Sequence, residues 1–353
     1  MIRKGRGAQL NPHSRFESIV YEKLDEYKEF ARLEGEEESN KTRYIEVFPK
    51  SIVNKVDSPD VPMDWSMNPY QGCEHGCAYC YARPTHEYWG YSSGLEFENT
   101  ILIKKNAPQL LEEKFNSRSW KAAPIMLSGN TDCYQPIERK EEITRAILKL
   151  CLKYKHPVGI ITKNALVLRD LDVLTKLAKL NLVKVNLSIT TLNEELRRKL
   201  EPRTSSGKNR VYAVKRLAET GVPVSVLMAP VIPGLNSNEI HEIFKTVGQA
   251  GARVAFHLMV RLNGPLQPIF KKWLELNFPD RAEKVLNLIK ESHGGKLNDS
   301  RYKTRMRGEG AYARSLSNIA NNARLKYFEQ VENIKLNCEL FEKNPSGQMR
   351  LEF

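Results

Sequence analysis

The chain has 353 residues, of which 41% are hydrophobic and 27% are charged, a composition typical of soluble globular proteins. This length accommodates one large α/β domain with appendages, or two domains. No apolar run approaches the roughly 18 residues that a membrane-spanning helix requires, and no apolar region follows the basic N-terminus as in a secretory signal. We therefore expect a cytoplasmic protein without membrane association.

The chain is strongly basic, with a formal net charge of +13 and a pI of about 9.3. Such an excess favours attraction to a polyanion, most simply a nucleic acid. The lysine-rich surface of an ordinary soluble protein explains the same excess, so the charge leaves both interpretations open.

Residues 1–62 are predicted to form an N-terminal extension. It begins with basic residues, and the polar stretch 18–41 is predicted to be partly helical. Residues 42–56 alternate apolar and polar positions and contain β-branched side chains, which predicts a strand or a hairpin.

The core domain is predicted over residues 63–264, where apolar runs alternate with amphipathic segments. The runs predict strands buried on both faces, at 123–129, 157–163, 182–190, 222–234 and 252–260. The segments between them predict helices at 138–154, 166–180, 193–201, 210–221 and 237–251. With a strand expected just before Cys73, about six βα units result. This α/β pattern favours a partial (β/α)6 TIM-like barrel over a full barrel of eight units, while an open doubly wound sheet remains an alternative.

Residues 265–353 are predicted to form a C-terminal helical region. Its helices are expected at 267–278, 280–292 and 313–337, and the link 293–314 is rich in lysine and arginine. With Tyr302 and Tyr312 among these cations, the link could bind phosphates and stack on bases. The other interpretation is a solubilising connection, which is favoured because the basic residues are not periodic on one face.

Three of the six cysteines, Cys73, Cys77 and Cys80, have the spacing C-x3-C-x2-C. Three thiolates on one loop can hold three irons of a [4Fe–4S] cluster and leave the fourth iron open to an exogenous ligand. Gly72 and Gly76 would let such a loop fold tightly.

The cysteine triplet also leaves two alternatives to an iron–sulfur cluster open. One is a zinc site with a distant fourth ligand, for which His75, His86 and Cys133 are the candidates. The second is a chance grouping of structural cysteines. Zinc ligands usually come as two close pairs, and no second pair follows in this sequence, which counts against zinc.

The segment "GCEHGCAYCY" (72–81) resembles the signature of the radical S-adenosylmethionine (SAM) superfamily, with Tyr79 at its aromatic position. Five segments further resemble, in this order, the branch grouped with spore photoproduct lyase and often labelled DNA-repair-photolyase-like. They are "MNPYQGCEHGCAYCYARP", "TDCYQPIE", "TKNALVLRDLDVL", "LSITTLNEELRRKLEPR" and "APVIPGLN". The match covers about 62–265, and "KGRGAQLNPHSRF" at the start resembles the subgroup with an extended N-terminus.

This resemblance implies a [4Fe–4S] cluster on Cys73, Cys77 and Cys80, with SAM at the open iron. It implies reductive cleavage of SAM to a 5′-deoxyadenosyl radical that abstracts a hydrogen, with electrons from a flavodoxin- or ferredoxin-type donor. The substrate suggested is a nucleic acid, for a lyase, repair or modification reaction. A protein, peptide or small-molecule substrate is the alternative, and a non-enzymatic metal-binding module is a remote one.

The resemblance also suggests residues that bind SAM. Tyr79 would lean toward the adenine, and the backbone near Met228 would line it. Ser128, Gly129 and Asn130 match the place where the family binds the SAM amino group, although the common Gly-Gly-Glu form is missing.

Three further positions are SAM candidates, each with a plainer alternative. Lys163 ends the third strand and could pair with the SAM carboxylate, unless it is only a solvated strand end. Ser188 matches a position that contacts the ribose or the methionine part, unless backbone groups satisfy its hydroxyl. Arg203, in "EPR" with Glu201, could hold the carboxylate or form a simple surface pair.

Cys133 is the candidate catalytic residue. Spore photoproduct lyase uses a cysteine near this strand end as hydrogen donor, and Cys133 lies a few positions away from that place. A buried inert thiol is the alternative. The neighbouring Asp132, Tyr134, Gln135 and Glu138 are either substrate contacts or turn residues, and Cys151 and Cys338 are predicted to be structural.

Overall fold

The computed structural model describes residues 3–16, 41–61, 63–328 and 335–345. Nearly all of the helical stretch predicted within 18–41, and residues 329–334 of the helix predicted at 313–337, lie outside these ranges. Residues 335–337 are described and are not helical, so the end of that predicted helix is wrong. Across the described ranges, no helix combines the length and the apolar character needed to cross a bilayer.

Ten strands form in the described part of the chain. They are β1 (Arg43–Val47), β2 (Val53–Lys55), β3 (Trp65–Met67), β4 (Tyr70–Gln71), β5 (Thr100–Lys104), β6 (Ile125–Leu127), β7 (Val158–Thr162), β8 (Val183–Ser188), β9 (Val224–Val231) and β10 (Ala255–Met259). The main sheet has the order β10-β9-β8-β7-β6-β3-β2. Six of these strands are parallel, and only β2 pairs antiparallel, with β3.

The main sheet confirms the predicted α/β fold with six βα units, a partial TIM-like barrel. Helices follow its strands, as a parallel sheet requires. The division of the chain at residues 62 and 264 stays a prediction.

A second, three-stranded sheet has the order β1-β5-β4. β1 pairs in parallel with β5, from Arg43 opposite Thr100 to Val47 opposite Lys104. Since β1 and β2 belong to different sheets, the hairpin interpretation of residues 42–56 is wrong and the strand interpretation holds. The strand β5 was not predicted.

Twelve α-helices and three 3-10 helices connect the strands within the described ranges. The α-helices are α1 (Glu96–Asn99), α2 (Ala107–Asn116), α3 (Glu138–Glu141), α4 (Ile143–Lys153), α5 (Leu171–Lys179), α6 (Glu194–Leu200), α7 (Gly207–Glu219), α8 (Ile240–Gln249), α9 (Leu266–Asn277), α10 (Pro279–Glu291), α11 (Thr304–Arg307) and α12 (Gly310–Tyr327). The 3-10 helices span Arg83–Trp89, Ala165–Asp170 and Ser237–Glu239. The single helix predicted at 138–154 is divided at Glu142, which has a left-handed backbone with φ 50°.

The main core lies between the helices and one face of the main sheet. In β8, Val183, Val185 and Leu187 belong to this core and are fully buried. Because side chains alternate along a strand, Lys184 and Asn186 point to the opposite face, which is the inside of the barrel.

A smaller core joins the cysteine-containing loop to the helices α6, α9 and α10. It contains Cys77 and Tyr79 of the loop, Leu200 of α6, and Trp273 of α9. The indole nitrogen of Trp273 donates a hydrogen bond to the carbonyl of Lys199 at 2.8 Å. The C-terminal helices α9 and α10 therefore pack against the loop and support it.

Candidate active site

The cysteine loop, residues 72–81, follows β4 of the second sheet. It lies at the carboxyl ends of the main-sheet strands, where the Tyr81 hydroxyl contacts the Gly129 carbonyl just after β6. Cys73 and Cys77 are buried in two different hydrophobic clusters. Cys80 is half-buried and packs against both of these clusters. Gly72 and Gly76 have φ of 78° and 63°, so the loop needs glycine at both positions. A Cβ on Gly72 would also lie only 2.6 Å from a backbone carbonyl oxygen of β5.

Burial governs the acidity of the loop thiols. It raises the pKa of Cys77 well above its usual value and that of Cys80 to about 11. The Cys77 and Cys80 thiols of the protein alone are therefore protonated at neutral pH. Binding of iron would displace these protons, since the thiolate is the ligand.

His75, the first candidate for a fourth ligand, already has partners on both ring nitrogens. Its Nδ1 lies 3.3 Å from Asp132 Oδ2, and its Nε2 lies 3.4 Å from the Asn164 side-chain nitrogen. Burial acts to lower the pKa of His75, but Asp132 and Cys73 outweigh it and raise the pKa to about 10. His75 thus serves as a link between the cysteine loop and Asp132.

Zinc coordination finds no support among the described residues, where no three His, Cys, Asp or Glu side chains form a group that could hold one metal ion. His86 packs between Tyr91 and Phe97. In a cubane cluster each thiolate binds a different iron, so the finding concerns a single ion only. Three thiols on one loop, two buried and one half-buried, remain a donor set that fits a [4Fe–4S] cluster.

Glu201 is the centre of a buried network beside the cysteine loop. Its carboxylate accepts hydrogen bonds from the Tyr79 hydroxyl, from Thr190 Oγ1 at 2.5 Å and from Arg210 Nη2 at 2.8 Å. Burial acts to raise the pKa of Glu201, but Arg210 and Lys163 outweigh it and lower the pKa to about 2. The carboxylate is therefore ionised and fixes the Tyr79 ring from the hydroxyl end.

Lys163, at the end of β7, reaches the same network. Its Nζ lies 3.9 Å from Glu201 Oε1, 3.3 Å from the carbonyl oxygen of Ala229 and 5.7 Å from the centroid of the Tyr79 ring. With Arg210 also beside Glu201, two cations surround one carboxylate. These three side chains therefore carry a net positive charge next to the cysteine loop, which suits a ligand with a carboxylate group.

The family model for the radical SAM superfamily matches residues 67–247, which include the cysteine loop, Lys163 and Glu201. The chain belongs to the radical SAM superfamily. It is therefore an enzyme of the radical SAM class, and the family implies a [4Fe–4S] cluster and SAM.

Several curated relatives of this radical SAM enzyme are named only as uncharacterised proteins. One from Mycobacterium tuberculosis (strain ATCC 25618 / H37Rv) is 30% identical over 250 residues, covering 70% of this chain and 74% of its own. One from Methanocaldococcus jannaschii is 30% identical over 249 residues, covering 70% of this chain and 89% of its own.

The fold is shared with spore photoproduct lyase. A solved structure of that enzyme complexed with dinucleoside spore photoproduct has a TM-score of 0.57 and 18% identity, and the match covers 81% of this chain and 79% of that chain. At this identity the likeness establishes the fold and leaves the substrate open.

The radical SAM enzyme places Ser128, Gly129 and Asn130 at the end of β6, beside the cysteine loop. The Gly129 carbonyl accepts a hydrogen bond from the Tyr81 hydroxyl at 2.6 Å. The Ser128 hydroxyl is already used in a turn, where it accepts from the Cys133 amide at 2.7 Å. Asn130 donates its backbone amide to Asn68 Oδ1 at 2.8 Å and its side-chain amide to Thr85 Oγ1 at 3.2 Å. Binding of the SAM amino group by these three residues stays a prediction.

The other three SAM candidates are placed differently from one another. Ser188 is buried, and its carbonyl accepts from Arg210 Nη1 at 2.8 Å. The Met228 side chain belongs to the main core, so only its backbone can face a ligand. Arg203 lies on the flank of the loop, with Nη1 3.7 Å from Glu74 Oε1, and is not among the partners of the Glu201 network. These assignments stay predictions.

Cys133 is fully buried in the main core of the radical SAM enzyme. Burial raises the pKa of its thiol well above the usual value. This placement favours the alternative of a buried inert thiol, and the hydrogen-donor role stays a prediction.

The polar residues around Cys133 mostly support the loop and the strand ends. Asp132 accepts hydrogen bonds from the Thr162 hydroxyl at 2.8 Å and the Lys163 amide at 2.7 Å. Gln135 Oε1 accepts from the Glu74 amide at 2.9 Å. Sequence reasoning placed these residues at the site but could not assign them this positioning role.

Proposed function

We propose that this enzyme binds a [4Fe–4S] cluster through Cys73, Cys77 and Cys80 and cleaves SAM reductively, with a nucleic acid as substrate. The three cysteines would hold the cluster, which would supply one electron from a flavodoxin- or ferredoxin-type reductant for the cleavage of SAM to methionine and a 5′-deoxyadenosyl radical that takes a substrate hydrogen. The proposal is supported above all by three thiols on one loop, two buried and one half-buried, at the carboxyl edge of six parallel strands and beside Lys163.

The chain's own residues would bind and orient SAM at this edge. The Lys163 ammonium would pair with the methionine carboxylate, and Glu201 would hold Lys163 and Tyr79 in place. The Tyr79 ring, only 7% exposed, would shield the reacting bond from water.

Anaerobic reconstitution with iron and sulfide tests the proposal. We expect about four irons per chain, and 5′-deoxyadenosine after reduction in the presence of SAM. A protein that holds the cluster but forms no 5′-deoxyadenosine would refute the enzymatic proposal. A protein that takes up zinc instead would support the metal-binding module.

Replacing Lys163 with methionine is expected to weaken SAM binding by about tenfold or more, because it removes a charge-assisted hydrogen bond in a half-buried site. Isothermal titration of cluster-loaded protein with SAM measures the dissociation constant. Lys184→Met is the matched control, since Lys184 points into the barrel near the start of β8. Equal effects of the two substitutions would contradict the assignment of Lys163.

Nucleic acid is proposed as the substrate on the basis of charge and fold. The net charge is +13, and the spore photoproduct lyase that shares the fold has been solved with a dinucleoside. The basic link contributes less than its composition suggests, because Arg301 pairs with Asp299 and Glu309 and Arg305 pairs with Asp60.

Arg261, just beyond β10, is a better candidate for a phosphate contact. Its guanidinium is half-buried near Tyr81, and it makes no hydrogen bond or ion pair within the described ranges. Burial and the neighbouring Arg305 lower the pKa of Arg261, because both disfavour its charged form. An anion bound at this position would stabilise the charged guanidinium.

Arg261→Ala is therefore expected to weaken binding of a single-stranded oligonucleotide by about tenfold. It should also reduce the number of counterions released on binding, given by the slope of log K against log salt concentration, by about one. Fluorescence anisotropy over a series of KCl concentrations measures both quantities. Arg301→Ala is the control, because Arg301 is already paired. Weak binding of both DNA and RNA by the wild type would instead favour a protein, peptide or small-molecule substrate.

A further inference from the structure

The N-terminal strap, residues 6–12, lies directly on the cysteine loop. The closest approach is at Gly7, where a Cβ would be 1.9 Å from the Gly76 carbonyl oxygen and 2.9 Å from the Ala78 amide nitrogen. Only glycine allows the strap to approach this closely, and Gly76 lies between two of the three clustered cysteines.

Glu98, in α1, fixes the strap at this point. It is fully buried, and its carboxylate accepts hydrogen bonds from the amides of Gly7 at 3.0 Å and Ala8 at 2.6 Å. The backbone carbonyl of Glu98 accepts a third bond, from Arg6 Nη1 at 2.7 Å. Three successive strap residues are thus held by one residue of α1.

Arg83 extends this contact to the cysteine loop itself. It is fully buried and forms an ion pair with the Glu98 carboxylate. The same guanidinium donates to the Cys77 carbonyl oxygen through Nε at 3.2 Å and Nη2 at 2.8 Å. The strap is therefore connected through Glu98 and Arg83 to the backbone of one clustered cysteine.

The far end of the strap is anchored as well. Asn11 Oδ1 accepts from the Leu95 amide at 2.5 Å, and the Pro12 carbonyl accepts from the Ser92 hydroxyl at 2.8 Å. A Cβ on Gly94 would lie 2.1 Å from the Leu10 carbonyl oxygen. These contacts hold the strap at both ends against the segment that follows the cysteine loop.

We propose that the N-terminal strap, acting through Glu98 and Arg83, holds the cysteine loop in the conformation that retains the cluster, a role that rests on the proposed function. Gly7 and Glu98 are then positioning residues. The loop has little regular structure of its own, and fixing it in advance reduces the conformational entropy lost when the thiolates bind iron.

Two variants test the strap by independent routes. Glu98→Gln removes the charge that pairs with Arg83, and Gly7→Ala forces the strap away from Gly76. After anaerobic reconstitution, we expect an added iron chelator to remove iron from both variants at least about tenfold faster than from the wild type. Iron release followed by absorbance measures this rate without reference to catalysis.

Two matched controls separate positioning from general destabilisation. Glu113→Gln changes a carboxylate that is exposed on α2. Gly248→Ala introduces a clash in α8, where a Cβ would be 2.7 Å from the Tyr327 carbonyl oxygen. We expect both controls to release iron at the wild-type rate.

The outcomes distinguish this inference from the proposed function. A wild type that takes up no cluster would overturn the proposed function. A wild type that retains the cluster, with folded variants that release iron at the same rate, would overturn the strap inference alone. Circular dichroism establishes folding, and Gly7→Ala decides the question if Glu98→Gln does not fold.

Discussion

Replacing any one of Cys73, Cys77 and Cys80 with alanine is expected to abolish cluster retention and to lower 5′-deoxyadenosine formation by at least about a hundredfold. This loss of activity is larger than the loss usually seen when a residue that only supports a metal ligand is replaced. The reason is that each thiolate would be the only protein ligand to its iron. Serine should not restore function, since a hard oxygen ligand suits an iron–sulfur cluster poorly. Iron and sulfide content and product formation measure the two effects.

The remaining cysteines provide the controls for this experiment. Cys151 is buried in the main core and Cys338 is half-buried near the end of the described residues, so alanine at either position should leave the cluster intact. Cys133→Ala should still form 5′-deoxyadenosine, even if a hydrogen-donor role exists. Full iron content in Cys77→Ala, or an equal loss in Cys151→Ala, would contradict the ligand assignment.

Glu201→Gln is expected to lower the free energy of unfolding of the protein without its cluster by about 3–5 kcal/mol. Arg210 is fully buried, and its ion pair is with Glu201 at 2.8 Å. The glutamine leaves that charge without a counterion and weakens the bonds from Tyr79 and Thr190. Urea denaturation followed by circular dichroism measures the change.

The loss of unfolding free energy caused by Glu201→Gln should also depend on pH. The pKa of Glu201 is about 2 in the folded protein, below its ordinary value of 4.5, so ionisation stabilises the fold above pH 4.5 and this contribution is lost as the pH falls toward 2. The difference in unfolding free energy between the wild type and Glu201→Gln should therefore become about 1 kcal/mol smaller between about pH 7 and about pH 4. A difference that stays constant would contradict the lowered pKa.

Glu194→Gln is the matched control for Glu201. Its side chain is 39% exposed and pairs with Arg197 and Arg198. Surface pairs of this kind contribute at most about 1 kcal/mol. A loss as large for Glu194→Gln as for Glu201→Gln would show that burial does not determine the effect.

The central sheet could be predicted from the sequence because its later strands lie in mainly apolar segments. The segments at 157–163, 182–190 and 252–260 contain β7, β8 and β10, and buried parallel strands give this signal without reference to distant residues. The break at Glu142 could not be predicted, since a left-handed backbone at a non-glycine residue leaves no mark in the pattern.

The second sheet could not be predicted for a different reason. β1 and β5 pair over a separation of 57 residues, from Arg43 and Thr100 onward. Neither strand identifies its partner, and parallel pairing has no turn motif to announce it. The short segment 42–56 therefore suggested a local hairpin that the structure does not contain.

The candidate site shows the same contrast between local and distant signals. The spacing of the three cysteines identified the loop, because the chemistry requires those residues close together in sequence. Arg83 and Glu98 were missed, although both are fully buried against the loop or the strap. Their partners lie up to 92 positions away, and single charged residues without a repeated spacing give no signal.

The separation between the strap and Glu98 also sets an order of events during synthesis. Gly7 and Ala8 emerge from the ribosome early, but their partner carboxylate lies 91 and 90 positions later. The strap cannot dock before Glu98 has left the exit tunnel, by which time all three clustered cysteines have been translated. An iron donor acting during synthesis would therefore meet the cysteine loop before the strap lies against it, whereas one acting on the finished protein would meet the loop with the strap in place.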